Sequence, residues 1–100
     1  MLNSKQRARL RAFANTMDPI FQIGKGGIND AMCESVAAAL EARELIKISV
    51  LDNSSQSARE AADEIALRTQ SEVVGVIGRK IILYKMSGKA ENRKYSLEIK

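Results

Sequence analysis

Between the apolar run Ile20-Phe21-Gln22-Ile23 and a helical pattern opening at Ile28-Asn29-Asp30 stand Gly24-Lys25-Gly26-Gly27. So short a link between a strand and a helix leaves room only for a tight turn. A strand–helix–strand crossover in one sheet is right-handed and demands parallel neighbours, here and at the second such crossover further along, so each next strand should return beside the one before. The turn also carries chemistry. Glycines let the backbone approach a ligand without a Cβ in the way. Free backbone N–H groups and the positive end of a helix dipole then face one spot, which is a recipe for holding phosphate. Whether that phosphate belongs to a nucleotide or to a nucleic-acid backbone depends on the rest of the chain.

Upstream, Asn3 or Ser4 can cap a helix reaching about Ala14. Leu10, Phe13, Ala14 and Met17 fall at i, i+3, i+4 and i+7, the stripe of a core-facing helix. Asp18-Pro19 ends it, because the residue before proline resists helical geometry. After the glycine turn, Asn29 is an N-cap and Asp30 a first-turn acid. That helix runs to about Ala42 with Ile28, Met32, Val36 and Leu40 inward, Cys33 and Ala37 alongside. Glu41 and Glu44, at its end near Arg43, read as solvated charges. Leu45–Leu51 reads as a strand, and residues 52–57 as a loop. Ser57 with Glu60 matches a capping box for a third helix, Ala58–Thr69, whose small inward residues suit close packing on a sheet. Val73–Ile77 and Lys80–Tyr84 are two strands joined at Gly78-Arg79, a type II′ hairpin signal. Beyond Met86 the chain turns polar; Tyr95, Leu97 and Ile99 alternate, which fits a short edge strand or a frayed tail. The expected fold is an α-β-α-β-α-β-β sandwich with a four-stranded mixed sheet, residues 1–86 as one domain and 87–100 as a basic tail.

The charge is distributed unevenly. Residues 1–27 carry five basic groups and one acid, residues 28–77 four basic groups and nine acids, and residues 78–100 seven basic groups and two acids. If the fold joins the ends, one face is positive, the footprint of a polyanion binder. A charged solvent face is also the default for any surface helix, so the basic first helix alone decides nothing. Several classes are excluded. With no His, Ser-His and Cys-His nucleophile pairs cannot form, and one Cys without His cannot build a structural zinc or iron–sulfur site. Cys33 reads as a core or boundary residue. Lys25 is followed by Gly26-Gly27, so the hydroxyl of a P-loop is missing, and a dinucleotide fingerprint lacks its last glycine. No apolar run spans a bilayer, no signal-peptide core precedes Lys5, and the single Cys fits a reducing cytoplasm. The aromatics are Phe13, Phe21, Tyr84 and Tyr95 alone, so recognition would rest on phosphates and shape more than on stacked bases.

Three stretches carry a family resemblance: Pro19–Gly27, Ala39–Lys47 and Gly78–Lys85. They resemble the small bacterial CRM-domain proteins of the YhbY-like family, a resemblance that covers about residues 4–86 in order. The resemblance implies a sandwich similar to the C-terminal domain of translation initiation factor three. It also implies RNA binding through a GxxG loop, here Gly24 to Gly27, and association with ribosomal RNA of large-subunit precursors. The reading that follows is a non-enzymatic RNA-binding protein of ribosome assembly, monomeric when free, with no cofactor, metal, membrane or small-molecule substrate. Lys25 and the amides of Gly26, Gly27 and Ile28 would grip a phosphate; Arg7, Arg11, Arg79, Lys80 and Lys85 would extend the surface along the RNA. The alternatives are a protein-interaction module pairing through strand Lys80–Tyr84 or the tail, and a small enzyme working on a phosphorylated substrate at the helix end.

Overall fold

The computed structural model describes residues 1–100. Its elements are α1 (Ser4–Ala14), β1 (Phe21–Ile23), α2 (Asp30–Arg43), β2 (Leu45–Val50), α3 (Ala58–Thr69), β3 (Glu72–Ile77) and β4 (Lys80–Tyr84). A 3₁₀ turn (Ala90–Asn92) and a four-residue helix α4 (Tyr95–Glu98) follow. The helix starts obey the local chemistry. Asn3 and Gln6 form a reciprocal capping box at 2.8 and 2.9 Å, Ser57 and Glu60 another at 3.1 and 2.9 Å. The Asn29 side chain accepts from the Met32 amide at 2.8 Å. Each satisfies backbone donors that a helix cannot use itself. In the hairpin turn Gly78 alone has positive φ, +59°, the type II′ pattern.

The mixed sheet has the order β1-β2-β4-β3. β1 runs parallel to β2, while β4 is antiparallel to both its neighbours. The first crossover therefore makes parallel neighbours as expected. The second does not: β2 and β3 point the same way, but β4 lies between them. Burial accounts for this. Ile81 and Leu83 enter the core on one face of β4, Ile82 and Tyr84 the core on the other, so this strand needs cover on both faces and both edges. β3 is bulged at Val73–Gly75 and partly exposed, which suits an edge. An interior β4 cannot recruit a partner's strand. The hairpin's free edge is β3, and there Arg7 Nε and an Arg11 guanidinium N–H donate to the carbonyls of Val73 and Val74, both at 3.4 Å.

Two cores lie on opposite faces of the sheet. α2 and α3 cover one, burying Val36, Leu40, Ala61, Ala62 and Ile65 against Ile23, Ile46, Ile48, Ile81 and Leu83; Phe21 and Cys33 pack at its margin. α1 covers part of the other with Leu10 and Ala14 against Leu45, Val74, Ile82 and Tyr84, and Phe13 and Met17 flank it.

The tail is neither a strand nor frayed. Tyr95 and Ile99 are one helical turn apart and both join the second core, while Leu97 between them is 61% exposed. Glu44, expected at the surface, is fully buried and holds this tail. Its carboxylate accepts from the amides of Ser87 (2.8 Å), Lys94 (2.9 Å) and Ser96 (3.0 Å) and from the Ser96 hydroxyl (2.5 Å). The Tyr84 hydroxyl meets the same serine oxygen. The Glu44 carbonyl accepts from the Lys85 amide at 3.0 Å, and its φ of +66° ends α2. Glu41 also turns to the tail, accepting from the Ser87 hydroxyl at 2.9 Å and the Lys89 amide at 3.1 Å.

Burial alone would raise the Glu44 pKa, but donors from Ser96, Ser87 and Lys94 together outweigh it and hold it below the ordinary 4.5. The unfolded chain therefore takes up the proton first as pH falls. The stabilisation is complete above pH 4.5 and is lost as pH drops through the lower folded value. Glu44→Ala, which leaves several tail donors unmatched, should cost about 2–3 kcal/mol in urea unfolding at neutral pH. Glu44→Gln should flatten the acid limb of a stability–pH curve; an unchanged limb would show that the acid sensitivity lies elsewhere.

Candidate nucleic-acid interface

The glycine turn sits at the end of the sheet where β1 and β2 finish and β4 begins. The Leu51 amide donates to the Ile23 carbonyl at 2.8 Å, tying the two strand ends together. The Gly27 amide donates to the Gly24 carbonyl at 3.0 Å, closing a turn with Lys25 and Gly26 at its tip, both exposed. Of the three amides assigned to a phosphate by sequence, that of Gly27 is thus used inside the turn, while those of Gly26 and Ile28 have no backbone partner. The glycines differ in kind. A Cβ on Gly24 would lie 3.3 Å from Asn53 Oδ1 and 3.4 Å from Leu51 Cδ1, so the β2–α3 loop packs close there. Gly27 has φ of +70°, where L side chains are strained. Gly26 faces open space.

The β2–α3 loop links this turn to the hairpin. The Val50 amide donates to the Arg79 carbonyl at 2.7 Å, and Arg79 Nε meets the exposed Asp52 at 3.1 Å. Lys80 Nζ donates to the Ser49 hydroxyl at 3.0 Å. An open cleft of about 530 Å³ runs among Ser49, Leu51, Asp52, Asn53, Arg79 and Lys80. Because Gly24 packs close to Asn53 and Leu51, which line the cleft, the turn and the cleft adjoin.

Strand register then carries the surface across the sheet. Gln22 pairs with Ser49, Ser49 with Lys80, and Lys80 with Ile77, a row through all four strands. The adjacent row on this face pairs Lys47 with Ile82 and Ile82 with Gly75. Arg11 lies over it: a Cβ on Gly75 would come within 3.0 Å of Arg11 Cδ. Strand alternation puts Lys47 and Ser49 opposite Ile46 and Ile48, on the face where α1 and the tail bury Leu45, Tyr84 and Ile82. The part of this face nearer the glycine turn therefore carries Lys47 and Lys80, with Arg79 at the hairpin and Arg11 over Gly75. Arg7 stands one helical turn back, over the outer edge of β3. Lys85 is not brought in. It lies at the opposite end of the sheet, with Nζ 3.3 Å from the Thr69 carbonyl.

Lys47 was not among the residues singled out by sequence. The signal was there: a lysine in the middle of an apolar strand has to emerge from an uncovered stretch of sheet. Arg68 was also missed. From the last turn of α3 it reaches the Ile28 carbonyl at 3.5 Å, Glu64 at 3.2 Å and the Asp30 carboxylate.

The fold and this end of the sheet define a small α/β domain with a glycine turn opening onto a basic half-face. The particular family is then given by comparison: residues 2–85 match the CRS1 / YhbY (CRM) domain, and the chain belongs to that family. It is 46% identical over 97 residues to the Bacillus subtilis (strain 168) protein named "Probable RNA-binding protein YqeI", covering 97% of this chain and 99% of that one. A Haemophilus influenzae protein named "RNA-binding protein" is 27% identical over 90 residues, 90% of this chain and 91% of the other. The solution structure of the hypothetical protein SAV1595 from Staphylococcus aureus superposes with a TM-score of 0.77 at 45% identity, covering 94% of this chain and 98% of that chain.

The glycine geometry makes a stability contrast. Gly27→Ala should lose about 1–2 kcal/mol, the cost of an L residue in the left-handed region. Gly26→Ala, with open space and no positive φ, should lose none. Urea denaturation of the two variants side by side checks this.

Proposed function

We propose that this chain is a cytoplasmic, non-enzymatic RNA-binding protein, monomeric when free, that associates with ribosomal RNA of large-subunit precursors during ribosome assembly. The observation that carries the RNA reading is the basic half-face of the sheet, adjoining the glycine turn. On this reading Lys25 and the amides of Gly26 and Ile28 meet one phosphate. Lys80, Arg79, Lys47 and Arg11 follow the backbone, and Arg7 extends the track at the β3 edge. Lys85 stands outside it. The names of the relatives support RNA as the ligand. The large-subunit precursor comes from the resemblance of Pro19–Gly27, Ala39–Lys47 and Gly78–Lys85 to the YhbY-like proteins. No helix is long and apolar enough to cross a membrane.

Phosphate contacts release counterions, so log affinity should fall linearly with log salt. Lys25→Glu and Lys47→Glu should each leave the melting curve unchanged, weaken binding to a large-subunit ribosomal RNA fragment, and lessen the salt slope by about 1. A slope near zero for the natural protein would end the electrostatic reading. Gly26→Ala should fold normally yet bind RNA less tightly, because its new Cβ occupies the space a phosphate approaches. Crosslinking in cells, followed by sequencing, tests the target: large-subunit ribosomal RNA should be enriched over its share of total RNA.

A further inference from the structure

We propose that Arg68, on α3 and outside the basic half-face, is a positioning residue for the glycine turn that also keeps the nearby Asp30 from repelling the bound polyanion. The inference rests on the RNA reading above. Asp30 opens α2 only three residues after Gly27, and its side chain is 95% exposed. That places an acid within about one Debye length of the turn, where it opposes any phosphate that Lys25 attracts. The acid itself is locally sensible, since a first-turn carboxylate favours its own helix. It is helpful to α2 and adverse to an RNA backbone.

Arg68 resolves the conflict from a different element. One N–H group of its guanidinium meets the Asp30 carboxylate, and another reaches the Ile28 carbonyl at 3.5 Å. Ile28 directly follows the turn, so the same side chain also reaches the backbone that leaves it. Glu64, four residues back on α3, holds the guanidinium at 3.2 Å and aims it. The planar fork lets one cation serve a carbonyl and a carboxylate together, which an ammonium cannot do with the same geometry. Asn29 already caps α2 through the Met32 amide, so the helix end alone is not an open anion site. The turn therefore depends on Lys25, its own free amides, and the silencing of Asp30.

A double-mutant cycle tests this, with affinity for a fluorescently labelled hairpin of large-subunit ribosomal RNA as readout and thermal unfolding as control. Arg68→Ala should weaken binding by roughly three- to tenfold at low salt, with a smaller loss at high salt. Asp30→Asn should bind as well as the natural protein or better. In the Asp30→Asn background, Arg68→Ala should lose most of its effect, and Arg68→Lys should restore part of the loss when Asp30 is present. Equal losses in both backgrounds would mean that Arg68 touches RNA itself, and no loss in either would mean that it has no bearing on binding; each outcome overturns the proposal. If Lys25→Glu also leaves affinity unchanged, the RNA reading of the turn fails; if Lys25→Glu weakens binding while Arg68→Ala does not, only the role of Arg68 fails.

Discussion

A buried carboxylate with no cation beside it governs the layout of this domain. Glu44 ends α2, begins the path into β2, receives the chain as it leaves β4, and gathers the tail by three amides and a hydroxyl. An ionised group so placed is tolerable only because its oxygens are saturated by donors. The donors come from residues 87–96, so folding the tail and burying Glu44 are one event. Once the tail is down, Tyr95 and Ile99 complete the second core at the Leu45–Tyr84 end of the sheet. α1 and the tail together cover that end and leave the other half of the face open. The exposed basic surface is a consequence of where the acid sits.

The open half is reached by elements far apart in sequence. Lys47 comes from the middle of β2, Lys80 and Arg79 from the hairpin, Arg11 from α1 and Lys25 from the turn after β1. Placing β4 in the centre makes this possible, since it sets Lys80 directly beside Ser49 rather than at an edge. Arg7 and Arg11 have a second effect. By donating to Val73 and Val74 they engage carbonyls of the one hairpin strand with a free side, which discourages edge-to-edge association. The same residues that enlarge the basic surface also cap carbonyls at the β3 side of the sheet.

Much of this was legible in the sequence because the chemistry is local. Asn3, Asn29 and the Ser57–Glu60 pair mark their helix starts through side chains that reach only three residues along. Gly78-Arg79 marks the hairpin, and Gly24–Gly27 marks the turn. Non-local partners were harder to see. Nothing in Lys80–Tyr84 states that it will lie between β2 and β3, although its unbroken apolar character on both faces points to a central strand. The Tyr95, Leu97, Ile99 alternation suits a strand, yet Tyr95 and Ile99 also stand at i, i+4, and a half-covered core selected the helical option. Glu41 and Glu44 look like ordinary helix-end acids because their donors are more than forty residues away. Within the candidate site, the turn, Arg79, Lys80 and Arg11 come together, Lys85 is carried to the far end of the sheet, and Lys47 is gained.

The fate of the four aromatic rings bears on what this face could offer the RNA proposed as its ligand. Phe13 meets Tyr95 edge to face in the second core, with centroids 5.4 Å apart, and Arg9 lies over the Phe13 ring. Phe21 packs on the α2–α3 side, and Tyr84 is buried with its hydroxyl on Ser96. Every ring is committed to packing, so the open half offers cations, amides and a glutamine. Such a surface suits phosphates and riboses, whose positions follow the shape of a folded RNA; sequence is read from base edges and stacked bases, which need different groups. On the proposed RNA reading, discrimination on this surface would come from spacing. Adjacent strands stand about 4.8 Å apart, and the glycine turn carries Lys25 at the end of β1, two strands across the sheet from Lys80. Under the proposed RNA reading, an RNA whose phosphates match this arrangement would engage these groups together, and one that does not would forfeit several at once.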